Sequence, residues 1–207
     1  LLYDTLIAPV EKSAFAGSAD ALVILPDGPL HLLPFAGLQD SHGRFLIERV
    51  PLAYAPSRSI FQHCLESSRG KTAVNRAVLI DGSSGLPNAR EELSYLSRLY
   101  GRSASVLAPE EAASFRQAVA RSGILHFAGH AENIQGRPAL LLQTTPREIR
   151  LDSRDINSWR MPNVRLANLA GCSTAIGPLA DGEGPWRLVP AFLNAGAPSI
   201  VASLMPV

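Results

Sequence analysis

Short apolar runs recur along the chain, and between several of them the apolar positions switch to helical spacing. The run at 21–25 (Ala-Leu-Val-Ile-Leu) predicts a buried strand. It stops at Pro26-Asp27-Gly28-Pro29, where proline presets φ and glycine admits positive φ, so a turn follows. Residues 50–55 predict a second strand, 60–65 a helix and 67–71 a polar linker. A domain boundary is therefore expected near residue 70, dividing the chain into parts 1–70 and 71–207.

The second part is more regular. Residues 77–80 predict a strand closed by Asp81-Gly82-Ser83-Ser84-Gly85. Asn88 and Glu91 have the spacing of a capping box, and Leu93, Leu96 and Tyr100 then make one apolar helix face that Gly101 stops. Residues 105–107 predict a strand, and Pro109 opens a helix that buries Phe115 and Val119. Further strands are expected at 124–128, 139–142 and 164–170. Pro185 opens a last helix with Trp186, Val189 and Leu193 on one face, Gly196 ends it, and 200–204 is the final strand. Strands alternating with helices predict an α/β fold, a mainly parallel sheet flanked by helices.

Composition narrows the function classes. Of 207 residues, 46% are hydrophobic and 18% charged, the latter below the ~25% typical of soluble chains, so a packed core is expected rather than disorder. Nineteen basic and 18 acidic side chains give a net charge of +1, with no basic stripe, which argues against direct nucleic-acid binding. No apolar stretch approaches the ~18 residues of a membrane helix. Asp4 and Pro9 interrupt the start, so no signal peptide is read there. Two cysteines, Cys64 and Cys172, are too few for a disulfide framework, and a reducing, cytoplasmic compartment is expected. A chain that starts at Leu1 and stops at Val207 reads as part of something longer.

Two strands end on residues with chemistry. One runs Ile124-Leu125-His126-Phe127-Ala128-Gly129-His130, the other Leu166-Ala167-Asn168-Leu169-Ala170-Gly171-Cys172. Ligands of open α/β sheets bind at the carboxyl ends of the strands. If these two strands are neighbours, His130 and Cys172 face each other at one rim. A thiolate is the nucleophile, and an ordinary cysteine, with a pKa near ~8.5, needs a base to supply it at neutral pH. An imidazole takes that proton and can later return it to a leaving amine. Cys172 follows His130 by 42 residues. That order and interval are close to those of caspases, whose histidine precedes the cysteine by about 50 residues.

Other residues have plainer readings. His126 sits in an apolar strand and reads as a satisfied core histidine. Its i, i+4 spacing to His130 would suit a metal only on a helix, so no metal is expected. Cys64 reads as a buried helix residue. Gly82-Ser83-Ser84-Gly85 fits no nucleophile elbow or phosphate loop and reads as a turn. Asp181 and Glu183 lie in a Gly-rich segment after Cys172, either as a solvated loop or as a pocket wall that receives a basic P1 side chain. Stretches 131–138 and 177–184, rich in Gly and polar residues, read as loops that order on activation.

Several blocks together resemble the CHAT domain, a caspase-like domain often attached to tetratricopeptide repeats. They are Leu2-Tyr3-Asp4 with Leu6-Ile7-Ala8-Pro9, Leu25-Pro26-Asp27-Gly28-Pro29-Leu30-His31-Leu32-Leu33-Pro34-Phe35, Ala55-Pro56-Ser57 and Leu86-Pro87-Asn88-Ala89-Arg90-Glu91-Glu92. Leu125-His126-Phe127-Ala128-Gly129-His130 and Ala170-Gly171-Cys172-Ser173-Thr174 match the blocks that carry the family's histidine and cysteine. Residues 191–197 and 201–207 match its end. The resemblance implies a caspase-like fold in which a degenerate N-terminal caspase-like half precedes an active half. It implies a cysteine endopeptidase acting on a protein substrate without a cofactor, with His130 as base and Cys172 as nucleophile. Main-chain N–H groups of Cys172 and Ala131 would hold the oxyanion, Ala131 standing where the family commonly has glycine. It also implies a regulatory flanking domain such as tetratricopeptide repeats, or an activating partner protein. The other readings are an inactive caspase-like interaction module that keeps the fold and a thiol acyltransferase using the same pair.

Overall fold

The computed structural model describes residues 2–14, 19–71, 73–134, 137–143, 148–172, 174, 175 and 188–204. They fall into two compact units, Leu1–Phe61 and Gln62–Val207.

In the first unit, helices α1 (Leu2–Leu6) and α2 (Ala8–Ala14) precede strand β1 (Leu22–Ile24), which pairs in parallel with β2 (Leu52–Tyr54). After β1 the chain turns at Gly28, with φ 50°, and Asp27 Oδ1 accepts the Gly28 N–H at 2.9 Å. Tyr3, Ile7, Phe35, Leu38, Leu46 and Val50 form the core. Beside it the Tyr3 hydroxyl donates to Glu11 Oε1 at 2.7 Å, and Arg49 Nη1 lies 2.8 Å from the same oxygen. Burial, helped by Glu11, pushes the Tyr3 phenol up to about 12, so it remains a donor at neutral pH. The apolar pattern predicts neither α1 nor α2, because helices this short show no full period.

Helix α3 (Arg58–Gly70) carries the chain into the second unit. Residues 67–70, expected as a linker, are its last turn; their polarity marks a solvated helix face and not a break. Lys71 then donates from Nζ to the carbonyls of Met161 at 2.7 Å and Pro162 at 3.0 Å.

The second unit is built on five parallel strands: β3 (Ala77–Gly82), β4 (Ala104–Leu107), β5 (Ile124–Gly129), β9 (Leu166–Ala170) and β10 (Ile200–Ala202). Their spatial order is β10-β9-β5-β3-β4. Val78, Leu79, Ile80, Leu125 and Phe127 are fully buried, which is why β3 and β5 read as continuous apolar runs. Helix α4 (Pro87–Tyr100) covers one face, packing Leu93 against Ala77, Leu79 and Ala128. On the other face, Phe115 and Val119 of α5 (Ala112–Ala120), Ile156 of α6 (Ser153–Asn157) and Phe192 of α7 (Val189–Ala195) pack with Ile80, Leu125, Phe127 and Leu169. Each such side chain contributes about 1.5–3 kcal/mol by leaving water. The mainly parallel sheet flanked by helices is the fold class expected from the alternation of patterns.

Local details differ from the reading of the sequence. Helix α4 starts at Pro87, with Leu86 as its N-cap and no side-chain cap. Asn88 and Glu91 therefore lie inside the helix, and no capping box forms between them. Residues 131–134 and 137–138 are strand and not loop: β6 (Ala131–Ile134) pairs antiparallel with β7 (Arg137–Gln143), which pairs in turn with β8 (Glu148–Asp152). Polar and proline residues hide β6, β8 and the first residues of β7 from an apolar scan, which finds only 139–142. Leu140 and Leu142 of β7 enter the main core. Asp152 then caps α6, accepting N–H groups of Arg154 at 2.7 Å and Asp155 at 3.1 Å. Pro185 and Trp186, expected to open the last helix, lie outside the described residues, as does 177–184; Gly196, with φ 107°, ends that helix. Among the described residues no helix is long and apolar enough to cross a membrane.

Candidate active site

Strands β5 and β9 pair in parallel, His126 opposite Asn168 and Ala128 opposite Ala170. The register offset is thus 42 residues, the interval that separates His130 from Cys172. Both residues lie two positions past the last paired row, just beyond the carboxyl ends of these adjacent strands. One step before them lies a row of glycines. Gly82 of β3 pairs with Gly129 of β5, and Gly171 follows β9. A Cβ on Gly129 would lie 2.5 Å from the Gly82 carbonyl oxygen, one on Gly171 2.7 Å from the Gly129 oxygen, and one on Gly82 2.8 Å from the Leu141 oxygen. These are backbone atoms, so no rotamer change makes room. The rim therefore depends on three backbones approaching where only hydrogen fits.

Past β9 the chain bends at once. The Gly171 N–H donates to the Leu169 carbonyl at 3.0 Å. Thr174, 1% exposed, donates from Oγ1 to Leu169 O at 3.1 Å, with Gly171 O at 3.3 Å, and accepts the Ser203 N–H at 3.0 Å. The Ala175 N–H donates to Ser203 O at 3.0 Å. Half-buried Cys172 sits inside this braced turn.

On the histidine side, the Leu141 N–H donates to His130 O at 2.8 Å, while Ala131 stands opposite Leu140. Hydrogen-bonded and non-hydrogen-bonded pairs alternate along an antiparallel ladder. His130–Leu141 is of the first kind, so Ala131–Leu140 is of the second, and the Ala131 N–H points away from β7. The same phase puts Pro138, which has no N–H, at the next non-hydrogen-bonded pair, opposite Asn133. Ala131 opens an extended strand, so alanine there meets no left-handed backbone.

His126, 3% exposed, lies four residues back along β5. Asn168 Nδ2 lies 2.9 Å from His126 Nδ1; with the amide donating, Nδ1 accepts and the neutral ring carries its proton on Nε2. Nε2 is 3.4 Å from Glu92 Oε1 without hydrogen-bond geometry and makes no hydrogen bond among the described residues. The expected satisfied histidine is thus satisfied at one nitrogen only. Burial pushes its pKa down to about 4, from 6.5 in the unfolded chain. Between those values the unfolded chain holds a proton that the fold excludes, so stability rises with pH there. The 2.5-unit difference predicts a loss of about 3 kcal/mol as pH falls from 6.5 to 4. Urea midpoints measured across that range should slope for the native chain and slope less for His126→Leu. Equal slopes would show that other groups govern the acid side.

The remaining candidates separate. Cys64 lies on α3, half-buried, and burial pushes its thiol pKa up, as suits a structural residue. Asp81 accepts the Ser83 N–H at 2.8 Å and Gly85 has φ 76°, so 83–85 is a turn and Gly82 the end of β3. Asp181 and Glu183 lie outside the described residues. Among the described residues no group of three or more His, Cys, Asp or Glu is arranged to hold a metal ion. Sequence reasoning missed Thr174, for which only its nearness to Cys172 was a signal. It also missed Asn168 as the partner of His126, although the 42-residue offset points to it.

A family model described as CHAT domain matches residues 1–207. Tetratricopeptide repeat protein 28 of Homo sapiens is 26% identical over 267 residues, an alignment that covers 100% of this chain and 11% of that protein. The chain therefore spans about a tenth of the length of the curated relative it matches.

Proposed function

Because the chain belongs to the CHAT domain family, caspase-like and related to cysteine peptidases, we propose that it acts as a regulated cysteine endopeptidase. The observation that carries this reading is the coincidence of the β5–β9 register with the His130–Cys172 interval. His130 takes the thiol proton as Cys172 Sγ bonds to the peptide carbonyl carbon. The oxygen that gains charge is received by the N–H groups of Cys172 and Ala131. His130 returns the proton to the leaving amine, the C–N bond breaks, and a thioester remains. Water, deprotonated by the same imidazole, then hydrolyses it and regenerates the thiol. Donors fixed before reaction matter because each such N–H is worth about 3–4 kcal/mol in comparable sites.

Asp181 and Glu183 are proposed to receive a basic P1 side chain. A flanking domain of the kind named in the human relative, tetratricopeptide repeats, or an activating partner is proposed to control access, in a reducing, cytoplasmic compartment. The test uses the chain within its full protein. A fluorogenic peptide library should show turnover with basic residues preferred at P1, and a peptidyl acyloxymethyl ketone should form a thioether at Cys172. An acidic or apolar P1 preference removes Asp181 and Glu183 from the pocket. No turnover with any peptide, and no labelling of Cys172, removes the peptidase reading in favour of an interaction module.

A further inference from the structure

The nucleophile turn is held by one buried hydroxyl. A threonine hydroxyl has one proton to give and two lone pairs. At Thr174 the proton goes to Leu169 O at 3.1 Å, with Gly171 O at 3.3 Å, and a lone pair receives the Ser203 N–H at 3.0 Å. One atom thus joins the end of β9, the residue before Cys172 and the chain leaving β10. The Ala175 N–H, bonded to Ser203 O at 3.0 Å, closes the brace from the other side. With Thr174 1% exposed, water is not at hand to replace any of these bonds.

We propose that Thr174 is a positioning residue for Cys172: its hydroxyl fixes the turn that aims the Cys172 N–H and Sγ, and couples that turn to the segment after β10. This rests on the peptidase reading, in which both Cys172 atoms act on the substrate carbonyl. The hydroxyl acts through the Leu169 and Gly171 carbonyls on one side of the cysteine and, through Ser203, the Ala175 backbone on the other. The Thr174 hydroxyl satisfies three backbone groups from two segments, Leu169 and Gly171 at the end of β9 and Ser203 after β10, so a hydroxyl at this position is required, and the methyl is not. Serine should therefore serve and valine, of the same shape, should not.

The variants Thr174→Val and Thr174→Ser, made in the full protein, test this by two readouts. Thr174→Val should lower kcat about 10²-fold, the size expected when a reacting group is misplaced by around an ångström, with KM little changed. Amide exchange at Gly171 and Cys172 should accelerate in the same variant, while Thr174→Ser restores both rate and protection. If the valine variant does not fold, Thr174→Ala set against Thr174→Ser makes the same comparison. Native kcat and native exchange in a variant lacking the hydroxyl would overturn the proposal. If the native protein cleaves no peptide, the peptidase reading fails separately, and unchanged exchange at Cys172 still rejects the brace.

Discussion

Cys172→Ala is expected to reduce peptide cleavage to background, and His130→Ala to come close to the same floor. Each loss is on the order of 10³- to 10⁶-fold, the range seen when members of a nucleophile–base unit are removed singly. The two losses do not add: a nucleophile without its base and a base without its nucleophile are equally idle, so the double variant should be no slower than the worse single one. The expectation begins with placement. Cys172 is half-buried in a turn at the carboxyl edge of a parallel sheet, next to the strand that His130 follows. Cys64 sits on α3, where burial pushes its thiol pKa up, and Cys64→Ala should turn over substrate at the native rate. Far-UV circular dichroism and the urea midpoint should be unchanged in Cys172→Ala, because no core cluster includes this residue. Turnover in Cys172→Ala within about tenfold of native, a barrier change of only ~1.4 kcal/mol, would move the chemistry elsewhere.

The site was legible because two pentads share a phase. His126-Phe127-Ala128-Gly129-His130 and Asn168-Leu169-Ala170-Gly171-Cys172 both read polar, apolar, alanine, glycine, reactive side chain. Parallel strands that pair in phase put like positions in one row, so the pattern alone predicts the two candidate residues at one rim. The same phase pairs His126 with Asn168, a consequence the pattern contained and a residue-by-residue reading passed over. Thr174 was not legible. A hydroxyl after a strand becomes a hub only when β10 returns beside it, and that is a long-range fact. The direction of the Ala131 N–H was hidden too, since it depends on which residue of β7 stands opposite.

For the fold, strands buried on both faces announced themselves. β3 and β5 are continuous apolar runs, and the helices between strands carry one apolar face each. What escaped were elements whose stability is tertiary. β8 alternates exposed Glu148 and Arg150 with Ile149 and Leu151, and it is held by β7 rather than by its own composition. The last turn of α3 is polar because it faces solvent, and a polar run reads alike as linker or helix face.

Like Gly123→Ala, whose Cβ would lie 2.0 Å from the Val74 carbonyl oxygen, Gly129→Ala is expected to be strongly destabilising. The new Cβ would lie 2.5 Å from the Gly82 carbonyl oxygen and 2.7 Å from its carbonyl carbon and Cα, all backbone. Gly82 is hemmed in turn, since its own hydrogen faces the Leu141 carbonyl and the Phe127 ring, each 2.8 Å from an ideal Cβ. Relief requires β3 and β5 to part at their carboxyl ends, against a ladder registered from Ala77↔Ile124 to Gly82↔Gly129. Overpacking a core costs about 1–3 kcal/mol where side chains can adjust, and here only backbone can, so a loss of at least ~3 kcal/mol is expected. In a unit of this size that lowers Tm by roughly 6–12 °C. His130 is the next residue, so cleavage should fall even in the fraction that stays folded. Gly70→Ala is the control: it sits at the end of α3 with nothing within 4 Å of a Cβ and no positive φ. It should leave stability unchanged or raise it by about 0.4–1 kcal/mol by restricting the unfolded chain. A urea series on both variants separates the cases, and a Gly129→Ala midpoint within ~0.5 kcal/mol of native would mean that the three backbones do not meet as tightly as their carbonyl distances require.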